Sequence, residues 1–104
     1  MMLKIIADHL PEIEALCVAC GANRLDLFGS AARGDFNPQQ SDLDFFVRFN
    51  DLGWQGSFKR YMGLKLGLED LLGTNVDLVE IDAVTNPHFL RVADQHRQNL
   101  YAAA

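Results

Sequence analysis

Two aspartates one residue apart, in the run Ser41-Asp42-Leu43-Asp44, stand at the head of an apolar stretch that continues to Phe49. On a strand they project from one face with Cα atoms about 6.5 Å apart, near enough to share one ion or a pair. Bare unit charges about 5 Å apart repel by roughly 3 kcal/mol at an effective dielectric of about 20. Such acids are either well solvated or neutralised by a divalent cation. Hard oxygen ligands on a rigid strand suit Mg²⁺ or Mn²⁺, which keep several waters and take their remaining ligands from substrate phosphates. Asp77, within N-V-D-L-V-E-I at residues 75–81, supplies a third strand acid. With two ions, one activates an attacking hydroxyl and the other steadies a leaving pyrophosphate. Asp77 completes the metal site, and the role of proton acceptor is open to it.

A phosphate-binding half precedes the acids. Gly29 and Ser30 follow the apolar run ending in Phe28, and Arg33 lies one helical turn on. Glycine lets backbone approach a phosphate, amides at a helix start point outward, and the serine hydroxyl adds a donor. Arg33 offers a charged fork to a phosphate oxygen, and Ser41 either joins these donors or only caps the strand entry. Taken singly, a Gly-Ser pair is usually a turn, D-x-D a solvated strand end, and an arginine a surface residue. The conjunction is what points to a nucleoside triphosphate, since no simple fold requirement asks for acids at all three places.

The elements that must position these groups follow from apolar spacing. Residues 3–20 read as helix, with Ile13, Leu16, Cys17 and Cys20 on one face, Pro11 opening the helix proper and Gly21 ending it. Strands are expected over residues 23–28, with Leu25 and Leu27 opposed to Asp26 and Phe28, and over 42–49, with Leu43, Phe45, Val47 and Phe49 opposed to Asp42, Asp44, Phe46 and Arg48. A helix over 58–72 leads to a third strand at 75–81, and Asn86-Pro87 opens a helix from His88 to about Tyr101. The order is helix, strand, strand, helix, strand, helix. This predicts an α+β fold, a small mixed sheet with helices packed mainly on one face.

Length and composition narrow the function. The 104 residues, 49% apolar and 22% charged, fit one domain spanning 1–104 with room for a single core. A net charge of -5 without a dense Lys/Arg cluster argues against a long nucleic acid as partner, while a small anion remains possible where cations screen the acids. Neither a basic leader nor a run of about twenty apolar residues is visible, so a cytoplasmic protein without a membrane partner is expected. Cys17 and Cys20 form C-V-A-C within a stretch that reads as helix, with neither the helix-start placement nor the further Cys and His that a redox or zinc site needs, and so read as small buried thiols in a reducing compartment. His9, His88 and His96 show no metal spacing. Lys59, Arg60 and Lys65 read as a solvated helix face, with approach to a phosphate as the sharper alternative. The helix around Trp54 to Leu72 and the last helix offer surface for a partner or a homo- or hetero-oligomer.

Gly29-Ser30-x-x-Arg33-Gly34, then Ser41-Asp42-Leu43-Asp44, then a strand bearing Asp77, resembles the minimal (MNT-type) nucleotidyltransferases of the DNA polymerase β superfamily. The likeness covers roughly residues 25–81 and no motif position departs from it. It implies the nucleotidyltransferase (polymerase β-like) fold, two Mg²⁺ ions, Asp42, Asp44 and Asp77 as metal carboxylates, and Gly29 and Ser30 as phosphate holders, with Arg33 at the motif arginine. Larger relatives add acceptor-binding domains, for which no counterpart is expected here. Small members pair with a HEPN ribonuclease toxin as its antitoxin, some by transferring AMP to a tyrosine of that partner. The resemblance thus implies a protein adenylyltransferase and antitoxin; the alternative is a non-catalytic module that neutralises its partner by contact.

Overall fold

The computed structural model describes residues 2–37, 42–50 and 56–103. A single turn, α1 (Lys4–Ala7), precedes α2 (Leu10–Cys20), which has Pro11 in its first turn and Gly21 beyond its end at φ 75°. Proline in the first turn gives up no helical hydrogen bond, and glycine takes the left-handed cap without a Cβ penalty. Strand β1 (Ala22–Phe28) runs directly into the short helix α3 (Gly29–Arg33). Strand β2 (Leu43–Phe49), helix α4 (Ser57–Leu72) and strand β3 (Val76–Glu80) follow. A 3-10 turn at Ile81–Ala83 leads to helix α5 (Pro87–Asp94) and strand β4 (Gln98–Ala102).

The strands form one mixed sheet in the order β3-β2-β1-β4. Strand β1 is antiparallel to both neighbours, while β2 and β3 are parallel. A parallel pair needs a long crossover, and α4 supplies it. Leu25, Leu27, Leu43, Phe45, Val47, Val76, Leu78 and Leu100 turn to one side of the sheet and are buried there against Ile6, Ile13, Cys17, Leu64, Leu68 and Leu72. Fully burying each such side chain contributes about 1.5–3 kcal/mol, so α1, α2 and α4 are held to this face.

The final helix is shorter than the spacing predicts. It stops at Asp94, and Gln98–Ala102 pairs with β1 as a fourth strand. The start is as expected, because the Asn86 side chain accepts from the His88 and Phe89 amides at 2.9 and 3.3 Å. The end differs because β1 has an open edge whose amides need partners, and a five-residue strand that buries Leu100 satisfies them. Residues 95–101, Q-H-R-Q-N-L-Y, have too few apolar positions to hold a helix against the sheet.

The other face carries Asp26, Phe28 and Phe46. The two rings stack at 3.9 Å between centroids, and Phe89 of α5 meets each edge-on at 6.1 Å. Asp26 is fully buried, accepting from Arg24 Nε at 3.0 Å, Arg97 Nε at 2.5 Å and Asn99 Nδ2 at 2.8 Å. The Arg97 guanidinium also lies 5.2 Å from the centre of the Phe46 ring. One carboxylate thereby ties β1, β4 and the end of α5 together. Removing it by Asp26→Ala takes the buried acceptor from Arg24, Arg97 and Asn99, although Arg97 keeps Asp94 and Asn99 keeps the Tyr101 carbonyl, and we expect a loss of about 2–4 kcal/mol in urea denaturation at unchanged m-value. A loss below about 1 kcal/mol would mean that the arginines re-solvate at no cost.

Candidate nucleotide and metal site

Strand registers gather the site from three segments. Phe28, the last residue of β1, is paired with Asp44, and Asp44 is paired with Asp77 on β3. Because Leu43, Phe45, Val76 and Leu78 face the core, Asp44 and Asp77 face the opposite side. Gly29, Asp44 and Asp77 therefore form a row across the sheet, with Asp42 just before β2.

Gly29 is fixed in this row by two constraints. Its φ is 72°, and a Cβ built on it would lie 2.2 Å from Asp44 Oδ2. The carboxylate thus occupies the space that any other residue would need. Ala31 and Ala32, both buried, anchor the α3 turn on the sheet, and among the described residues no side chain caps its first amides. Ser30 is half-buried at that start.

Electrostatics show that the acids sense one another. Burial first, then the charges of Asp77 and Asp42, push the Asp44 carboxyl up to about 6, while the Arg33 guanidinium works in the opposite direction. Arg33 also donates to Asp35 across an exposed pair at 3.3 Å. Ser41 lies outside the described residues, as does Trp54. Among the described residues, no three His, Cys, Asp or Glu side chains converge into a ready-made cage for an ion. Asp42 and Asp77 are exposed, so their side chains have room to swing, and like charges separate when nothing positive lies between them. Half-buried and exposed carboxylate oxygens on adjacent strands are the donors that hard cations take, and the raised Asp44 marks the charge a cation would offset. The residues fit a divalent ion.

Several other groups are placed away from this chemistry. Lys65 pairs with Glu69 at 3.0 Å rather than reaching toward the acids. The His9 ring nitrogen Nδ1 lies 2.7 Å from the Ile5 carbonyl, and His88 and His96 are exposed. Burial pushes the Cys17 thiol up to about 12, which makes it inert at neutral pH. A cavity of about 450 Å³ lies at the far end of β2, lined by Arg48, Arg60, Glu80 and Asp82, so volume does not locate the acids. Tyr61 was not legible as a site neighbour: burial and then the charge of Asp77 push its phenol above the ordinary range. The available signal was a polar stripe, Tyr61, Lys65 and Glu69, at four-residue spacing inside α4.

A family model described as a nucleotidyltransferase domain matches residues 14–100. The chain belongs to the nucleotidyltransferase domain family. A Methanocaldococcus jannaschii protein provisionally named a protein adenylyltransferase is 40% identical over 62 residues, which is 60% of this nucleotidyltransferase and 60% of that relative's length. A solved structure described provisionally as a minimal nucleotidyltransferase is 32% identical, covers 93% of this chain and 94% of its own, and superposes with a TM-score of 0.75. The complex of a tri-AMPylated Shewanella oneidensis HEPN toxin with its MNT antitoxin matches at 19% identity, over 94% of this chain and 73% of that one, with a TM-score of 0.64. That last likeness is one of fold.

Two expectations follow for the nucleotidyltransferase. Gly29→Ala should cost about 1–3 kcal/mol through positive φ and the clash with Asp44. Adding Asp44→Ala should recover part of that loss, and strict additivity of the two in denaturation would mean that they do not touch. The second concerns pH. A carboxyl raised in the folded state adds stability below its ordinary value near 3.8, and this is lost as pH rises through about 6. Metal-free wild type should therefore lose stability relative to Asp44→Asn between about pH 4 and 7. Parallel Tm profiles for the two proteins would contradict the raised carboxyl.

Proposed function

We propose that this nucleotidyltransferase moves AMP from ATP to a hydroxyl of a partner protein, a HEPN-type ribonuclease toxin, and thereby acts as its antitoxin. The observation that carries the reading is the row of Gly29, Asp44 and Asp77, in which a carboxylate fills the Cβ space of a glycine at the start of an uncapped helix. Phosphate donors and acids thus adjoin one another on a single face. The adenylyltransferase name of the archaeal relative and the AMPylated toxin bound to an MNT antitoxin support the substrate and the partner.

In this reading Asp42, Asp44 and Asp77 hold Mg²⁺, or Mn²⁺ in its place. When bound, the ions neutralise the triphosphate and steady the departing pyrophosphate. The chain's own groups do the positioning. Amides of the α3 start and the Ser30 hydroxyl hold phosphate oxygens, Arg33 adds a charged donor, and Ser41 is a further donor of the motif. The acceptor hydroxyl oxygen bonds to the α-phosphorus as the bond to the β-phosphate oxygen breaks. The hydroxyl proton passes to a carboxylate of the site, for which Asp77 is the candidate.

A contact-only antitoxin is the second reading, favoured by the lack of a ready-made ion cage among the described residues. Labelled ATP, Mg²⁺ and the partner separate the two. Label should appear on the partner, and Asp44→Ala should cut its transfer by at least about a hundredfold and abolish neutralisation. If Asp44→Ala protects cells from the toxin as well as wild type does, contact alone is the antitoxin mechanism.

A further inference from the structure

Strand β3 is the outermost strand on its side of the sheet, so half of its backbone groups lack a strand partner. The Leu43 amide donates to the Asn75 carbonyl at 3.0 Å, which turns the backbone of Asn75, and by alternation of Asp77, toward β2. Backbone groups of Val76 and Leu78, the two residues flanking Asp77, therefore face outward. One outward group on each flank is taken by a side chain of α4. The Val76 amide donates to Glu69 Oε2 at 3.0 Å, and the Leu78 carbonyl accepts from the Tyr61 hydroxyl at 2.5 Å. Lys65, between them on α4, pairs with that same Glu69 oxygen at 3.0 Å and holds it in place.

Eight residues of helix rise about 12 Å, and α4 runs back along β3, so Tyr61 and Glu69 reach its edge at the outward groups on either side of Asp77. An edge strand without such a clamp frays and slips, because only one side of it is hydrogen-bonded. Asp44, by contrast, sits on β2 with a strand on either side and Gly29 against it. Of the row, Asp77 is the acid with the least sheet around it.

We infer that Tyr61 and Glu69 are positioning residues for Asp77, clamping the edge strand on both sides of it so that its carboxylate stays level with Asp44. The inference rests on the nucleotide reading of this site. Neither side chain need touch the nucleotide: each acts through one backbone group of β3.

Tyr61→Phe, Glu69→Ala and Glu69→Gln test it by two readouts, amide hydrogen exchange of Val76 and the Mg²⁺ concentration giving half of the ATP-dependent rise in Tm. Glu69→Ala should speed Val76 exchange and raise the Mg²⁺ half-point, each by about tenfold. Glu69→Gln still offers Val76 an oxygen and should stay within about threefold of wild type in both. Tyr61→Phe loses one hydroxyl and keeps the ring, so it reports even where Glu69→Ala does not fold, and should raise the half-point by about threefold or more. If Tm falls in these variants while the Mg²⁺ half-point stays at the wild-type value, the residues are structural only and the inference is overturned. Unchanged Val76 exchange in Glu69→Ala overturns it as well. If wild type itself shows no ATP-dependent rise, the nucleotide reading fails and takes the positioning role with it, while a faster Val76 exchange in Glu69→Ala still identifies the clamp as a feature of the fold.

Discussion

The contact on which the arrangement depends is the one between Gly29 and Asp44. A carboxylate oxygen stands where a Cβ would be, 2.2 Å from its ideal position, and the backbone there takes φ 72°. Any larger residue at position 29 must displace the Asp44 carboxylate and hold a left-handed backbone conformation that side chains disfavour. The glycine is therefore what allows a phosphate-type turn and an acidic strand end to share one small volume. The cost is electrostatic, since Asp44 is half-buried beside two like charges and its carboxyl rises to about 6. Domains of this size are stable by only about 5–15 kcal/mol, so an arrangement of this kind is not a neutral ornament of the fold.

The rest of the chain supplies a platform stiff enough to hold that row. One face of the sheet is a continuous apolar layer against α1, α2 and α4, and it fixes which way every β2 and β3 side chain points. The opposite face is ordered by fewer, more specific contacts. Asp26 gathers Arg24, Arg97 and Asn99, and Arg97 in turn covers Phe46, which lies two residues beyond Asp44 on the same side of β2. The stacked rings of Phe28 and Phe46 sit immediately beside the Gly29 turn and the Asp44 position. Disturbing the buried carboxylate of Asp26 would thus be felt at the acid row without any direct contact.

Much of this was legible in the sequence, and the parts that were not share a cause. Alternation placed Leu43, Phe45 and Val47 opposite Asp44 and Phe46 because period-two patterning is a local property of one strand. Pro11, Gly21 and Asn86 marked helix ends because capping is local too. Spacing alone extends the last helix through Gln98 to Tyr101, since the strand there takes its identity from the open edge of β1, far earlier in the chain. Asp26 looked like any off-core strand position, and only Arg97 and Asn99, brought in by β4, make it a buried hub. Likewise Lys65 and Glu69 resemble a solvated pair until the outward amide of Val76 is placed beside them. The motif spacing of the acids conveyed their types and order, whereas the pairing of Asp44 with Asp77 came from the parallel register.

The topology also gives the proposed reaction a direction. The row begins at the α3 start, where β1 is flanked on its other side by β4, and ends at Asp77 on the outermost strand. In an in-line displacement the attacking and leaving oxygens lie on opposite sides of the phosphorus. In that proposed reaction, phosphates held at the α3 end would send the departing pyrophosphate toward β1 and leave the β3 side to the acceptor hydroxyl. Among the described residues no further strand lies on that side, and it presents Tyr61 and the exposed Phe58 of α4 close to the edge. A partner that delivered its hydroxyl there would meet the strand whose edge the Glu69 and Tyr61 side chains of α4 hold, so under the proposed reaction acceptor docking and acid alignment would share that edge.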